Sequence, residues 1–292
     1  MYKTVGHVAR EDMDSSTLRL CGAFVAGGAV GTCLAAYVYA NSHPVSWKGW
    51  KKVNEQGDGL ASLPPSAKDG ERGEEVHRRP PLAEDEIVAE HFTRNVQFFG
   101  SEPQQRVADS FVIVVGLGGV GSHCAHMLLR SGVSRLRLID FDQVSLSSLN
   151  RHAVATRGDV GTSKAECLAA HFRKIYPEAV LDVRVAMYEQ SEEEELLGGE
   201  PDFVVDCIDN IDTKVQLLSA CVRRGIRVLA CGGAGAKCDP TRIRIVDIAE
   251  SVVDPLARAV RHRLKHDHGI DGGIPVLLST EKQRCDLVGS TS

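Results

Sequence analysis

From residue 110 onward, short apolar runs alternate with longer segments in which apolar residues recur every three or four positions. FVIVVG, RLRLID, VLDVRVAM, DFVVDCI and RVLACGG are the short runs. A segment after Gly121, then KAECLAAHFRKIY and TKVQLLSACVRRG, carry the longer spacing. Short continuous apolar runs fit strands buried on both faces, and the longer spacing fits amphipathic helices. The alternation predicts an α/β domain with a doubly wound, mostly parallel sheet. Ahead of it, LAEDEIVAEHFTRNVQFFG places Ile87, Val88, His91, Phe92 and Val96 on one face of a single predicted helix with an acidic first turn. The folded domain is expected over 82–292.

Upstream the pattern changes. Residues 20–40, LCGAFVAGGAVGTCLAAYVYA, carry no charge and are long enough to cross a bilayer as a helix of roughly 30 Å. A cleaved secretory signal or a mitochondrial presequence is the alternative. The stretch exceeds the usual signal core, and Glu11, Asp12 and Asp14 sit poorly in a presequence. The expectation is a retained transmembrane helix after a tail of 1–19, with Lys48, Lys51 and Lys52 favouring a cytosolic C-terminal side. Residues 41–81 are rich in Gly, Pro and charge and are predicted to be a flexible linker.

Composition narrows the function only slightly. A net charge of -5 means that contact with nucleic acid would have to rest on a local basic surface. The nine cysteines include no C-x-x-C pair, which argues for a reducing compartment and against a four-cysteine zinc site.

Candidate chemistry begins at GLGGVG. Gly116, Gly118 and Gly121 match G-x-G-x-x-G directly after a predicted strand and before a predicted helix. Such a loop lets backbone approach a phosphate closely, and the helix N-terminus presents unpaired N–H groups to it. Asp140 ends the next predicted strand, where a carboxylate can accept from ribose hydroxyls. These features fit NAD as well as any other adenine nucleotide.

Further along come IDFDQVSLSSLNR, GTSKAECL, VVDCIDN and CGGAGAKCDPTRIRI. With G-x-G-G-x-G at Gly116, Gly118, Gly119 and Gly121, D-x-D-x-V at Asp140 and Asp142, then N-R, K and D-x-x-D-N, the chain resembles the ubiquitin-activating-enzyme superfamily of ThiF/MoeB type. That resemblance implies a Rossmann-like fold that binds MgATP and adenylates a carboxylate. It implies that Asn150 and Arg151 contact the triphosphate, that Lys164 reaches it from the next helix, and that Asp209 holds Mg²⁺. Taken singly, Lys164 reads as a solvated helix lysine, Arg151 as half of a surface ion pair and Asp209 as a helix cap. Asp206 reads either as a carboxylate behind the site or as a plain strand end. Arg94 resembles an arginine that crosses a dimer interface in the superfamily, which implies a homodimer.

The stretch GGAGAKCDPTRIRIVDIAESVVDPLARAVRHRLK is similar to one branch, the tRNA N6-threonylcarbamoyladenosine dehydratases. This implies ATP-dependent activation of the threonyl carboxylate on a modified adenosine beside the anticodon of tRNA, followed by ring closure with loss of water. Such a route needs no protein nucleophile, and Cys231 reads as a packed core residue. A helix from Pro255 would carry Arg258, Arg261 and Lys265 on one face as candidate RNA contacts. The apolar N-terminal stretch resembles the fungal forms, which implies the mitochondrial outer membrane with the catalytic domain facing the cytosol. Alternatives are an adenylating activator of a ubiquitin-like or sulfur-carrier C-terminus, or a truncated, non-catalytic dimer partner. The branch carries further elements after GIPVLLSTEK where this chain has QRCDLVGSTS, so the C-terminal part is expected to be incomplete and no sulfur relay is carried over to Cys285.

Overall fold

The computed structural model describes residues 84–282. The apolar stretch 20–40 and the linker 41–81 lie outside the described residues, and among the described residues no helix is long and apolar enough to cross a membrane. Three short helices lead in: α1 (Glu86–His91), α2 (Thr93–Phe99) and α3 (Ser101–Asp109). Then β1 (Phe111–Val115), α4 (Gly119–Arg130), β2 (Arg135–Ile139), α5 (Lys164–Ile175) and β3 (Val180–Arg184) form the first half. The second half comprises α6 (Glu193–Leu197), β4 (Phe203–Asp206), α7 (Ile211–Arg223), β5 (Val228–Cys231), β6 (Ile243–Asp247), α8 (Pro255–His268) and β7 (Pro275–Ser279).

Among the described residues the strands form one seven-stranded sheet in the order β3-β2-β1-β4-β5-β7-β6. All neighbours are parallel except β6, which pairs antiparallel with β7 at the edge. Strand β1 shows why the sheet needs two helical layers. Val112 and Val114 face one apolar cluster with Leu128 and Phe172, while Phe111, Ile113 and Val115 face another with Leu217 and Val260. Burial on both faces explains the continuous apolar run. Chain order reverses between β1 and β4, and in such sheets the crevice beyond the strand C-termini at that point is where ligands bind.

Two details differ from the sequence reading. The single lead-in helix is broken at Phe92, whose backbone (φ -101°, ψ 11°) leaves the helical range. Its ring is buried against Tyr176 at 5.3 Å between centroids, so packing overrides helix continuity there. Of the expected face, Val88 and Phe92 are buried but Ile87 is 79% exposed. The sheet also gains β6 and β7. IRIVD mixes apolar and charged residues and is only partly buried, as an edge strand is, and β7 opens on Pro275.

Candidate nucleotide site

Strand β1 runs directly into the glycine loop. Gly116 takes φ +86°, and a Cβ there would stand 2.9 Å from the Cys207 carbonyl carbon and oxygen. A Cβ on Gly121 would overlap the Gly116 carbonyl oxygen. The fold itself therefore requires glycine at these two positions. Gly118 is different: its φ is an ordinary -72°, and nothing in the protein lies within 4 Å of where a Cβ would be. Its bareness keeps the space before α4 open. No side chain caps α4, so its first N–H groups remain available to an anion.

Around this open end the predicted residues gather. A Cβ on Gly119 would stand 3.2 Å from the Arg151 side chain, so Arg151 lies across the loop. Its guanidinium donates to the Ser147 carbonyl at 2.8 Å, and exposed Asn150 is its neighbour. Asp140 is buried and braces the loop: one oxygen accepts from the Leu117 N–H at 2.5 Å, the other from the Asp142 N–H at 2.8 Å. Burial pushes its carboxyl above the usual range despite those two bonds.

Lys164 is not a solvated helix lysine. It opens α5 behind the cap residue Ser163, is 9% exposed, and its Nζ lies 2.6 Å from Asp142. The first helical turn thus carries a buried ammonium held by an exposed carboxylate. Asp209 is not a cap either, because Asn210 caps α7 by accepting from the Thr213 N–H. Asp209 is exposed on the turn after β4, on the β1–β4 crevice. Asp206 proves to be half of a wholly buried pair with Lys214 at 2.7 Å. Lys214 also donates to the Ile208 carbonyl, which pins the turn that carries Asp209.

One buried histidine beside the N-R pair went unnoticed in the sequence. His152, next to Arg151, is 7% exposed, and its Nδ1 accepts from the Ala155 N–H at 3.1 Å. That bond puts the proton of the neutral ring on Nε2, which is buried without a protein partner. Burial, and then the charges of Lys164 and His123, push its pKa down to about 4. Its adjacency to the N-R pair was the available signal. An uncapped helix start, an open space over Gly118 and two cations together suit a ligand rich in anionic oxygens.

The later segment forms a lock. Lys237 is bonded to Asp254 at 2.5 Å and to the Gly233 carbonyl at 2.9 Å. Asp254 is fully buried, caps α8 through the Ala257 N–H, and also accepts from the Gly233 N–H. Burial raises its carboxyl, but the Lys237 bond and the two N–H donors together hold it below the usual range. Glu281 accepts from the Cys238 and Asp239 N–H groups, tying the same loop to the segment after β7. Arg94 lies elsewhere. It is exposed on α2 and bonded to Gln97, while its neighbour Asn95 reaches Ser131 at the far end of α4. That end is about 18 Å from the glycine loop along a 12-residue helix.

A family profile described as the ThiF family matches residues 92–263, which span the loop, Asp140, Lys164 and Asp209. The chain belongs to the ThiF family. It is 48% identical over 201 residues to tRNA threonylcarbamoyladenosine dehydratase 2 of Saccharomyces cerevisiae, covering 68% of this chain and 45% of that protein. It is 36% identical over 190 residues to the tRNA threonylcarbamoyladenosine dehydratase of Bacillus subtilis, covering 65% of this chain and 74% of that protein. The structure of the Escherichia coli tRNA N6-threonylcarbamoyladenosine dehydratase in complex with ATP superposes with a TM-score of 0.66 at 34% identity, covering 68% of this chain and 84% of that one. The chain spans about half the length of the yeast relatives it matches. The ThiF-family domain here thus has its glycine loop, both cations and Asp209 at one end of the sheet.

Proposed function

We propose that this ThiF-family chain is an ATP-dependent dehydratase that activates the threonyl carboxylate of N6-threonylcarbamoyladenosine in tRNA and cyclises it. The observation that carries the reading is the buried Lys164 beside the uncapped, open helix start at Gly118. Likeness to dehydratases, one of them solved with ATP, supports the substrate. ATP supplies activation: it converts a poor leaving oxygen of the carboxylate into a good one.

The chain's own residues then have distinct tasks. Arg151 and Lys164 neutralise the charge that grows on the phosphates, which is the larger part of such catalysis. Asp142 keeps the Lys164 ammonium poised at the helix start and releases it to a stronger anion. Asp209 would hold Mg²⁺ on the turn that Lys214 pins. Ring closure is intramolecular, so proximity replaces a protein nucleophile. The Cys231 thiol, pushed well up by its contact with Cys207 and by burial, fits that scheme.

A homodimer completes the reading, with Arg94 serving the partner's site because it is remote from its own. The segment 20–40 would tether the domain to the mitochondrial outer membrane on its cytosolic side. The test is pyrophosphate release from the purified chain. It should be stimulated by tRNA carrying the threonylcarbamoyl group and not by carrier proteins ending in a free carboxylate. The reverse preference would favour the activator alternative.

A further inference from the structure

Two concavities border the segment 231–271, the first of them at the phosphate end of the sheet. The first is a pocket of about 230 Å³ walled by Val120, Ile243, Leu277 and Leu278, with Lys237 and Asp239 also in its lining. Val120 is the second residue of α4, directly after Gly119, so this pocket shares a wall with the anion-binding helix start. Its opposite wall is the loop that Lys237 fastens to Asp254, the cap of α8. One turn beyond that cap, a groove of about 940 Å³ opens along α8, lined by Arg258, Arg261, His262 and Lys265.

We infer that α8 divides a bound RNA between these two spaces, with the phosphate backbone in the basic groove and the modified base in the pocket. Three cations at i, i+3 and i+7 stand about 5 and 6 Å apart along the helix axis, a spacing suited to successive phosphates. Only Asp271 opposes them within the groove, paired with Lys265 at 2.9 Å. Arg263, by contrast, is consumed by Asp212 and Asp267 and belongs to another face. In a chain of net charge -5 this local excess is a patch, not a general property. The pocket's apolar walls suit the faces of a purine, and its position sets a carboxylate hanging from that base next to the phosphates at Gly118.

The inference rests on the dehydratase reading, and two variants of the full chain separate their failures. Arg258→Ala/Arg261→Ala/Lys265→Ala should raise KM for modified tRNA at least tenfold, with kcat and ATP affinity within about twofold of wild type. The slope of log affinity against log salt should become shallower by about 2–3, as expected for three lost phosphate contacts. Ala234→Trp places a bulky ring in the pocket from an exposed position; it should cut turnover at least a hundredfold while tRNA and ATP still bind. Unchanged KM and salt slope in the triple variant, or unchanged turnover in Ala234→Trp, overturns the inference. So does a triple variant that loses only its affinity for anionic phospholipid vesicles. If the wild type binds ATP yet shows no turnover with modified tRNA, the dehydratase reading fails, while tRNA binding and its salt slope still judge the groove.

Discussion

Two glycines of one loop separate folding from binding. At Gly121 a methyl group collides with the Gly116 carbonyl, so Gly121→Ala should destabilise the domain by about 1–3 kcal/mol or more. At Gly118 a methyl group meets only open space at an ordinary φ. Gly118→Ala should therefore keep the wild-type Tm while weakening ATP binding at least tenfold, measured by calorimetry. Wild-type affinity in a stable Gly118→Ala variant would remove the phosphate cradle from this loop. His152 makes a second residue-scale test. Its folded pKa of about 4 lies below the ordinary 6.5, so the unfolded chain binds more protons between those values. Stability is full above about pH 6.5 and falls as the pH drops toward 4, by on the order of 2 kcal/mol for this group. His126, also pushed down to about 4 by burial and by Arg130, adds a loss of the same sign. Urea unfolding of His152→Gln at pH 7 and pH 5 should show a smaller loss than wild type. An identical loss would mean that the ring is not buried neutral.

Among the elements, much of the site was legible because strand–glycine–helix order and carboxylates at strand ends follow from local sequence. Partners distant in sequence were not. The motif points Lys164 at the triphosphate, but its burial is not legible, because it depends on Asp142, which lies before an irregular stretch. Lys237 and Asp254 lie on either side of β6, and nothing local announces that they meet. The lead-in helix was misread as continuous because its spacing holds through Phe92 while packing on Tyr176 breaks the backbone. The Lys237–Asp254 lock is the element-scale prediction. Asp254→Ala removes the cap of α8, an acceptor for the Gly233 N–H and the partner of a buried ammonium. Chemical denaturation should register about 3–5 kcal/mol of lost stability. Lys237→Met, which removes the charge along with its partner's demand, should recover part of that loss in the double variant. A loss below 1 kcal/mol in Asp254→Ala would show that the loop is held by other contacts.

For the whole molecule, the sheet order places Gly118, Lys164 and Asp209 at one end and Arg94 at the other. If two copies share sites, Arg94→Ala and Lys164→Ala, each inactive alone, should regain activity on mixing, because one of the two hybrid sites then has both residues. Mixtures no more active than their parts would assign Arg94 to a role within its own chain. The central claim concerns what the assembled site does to its substrate. The most direct measurement is mass spectrometry of the nucleosides from tRNA bearing N6-threonylcarbamoyladenosine after incubation with the purified chain and ATP. The expected result is an ATP-dependent conversion of that nucleoside to one lighter by a single water, abolished in Lys164→Ala. An unchanged nucleoside from a preparation that binds ATP and the tRNA would contradict the account.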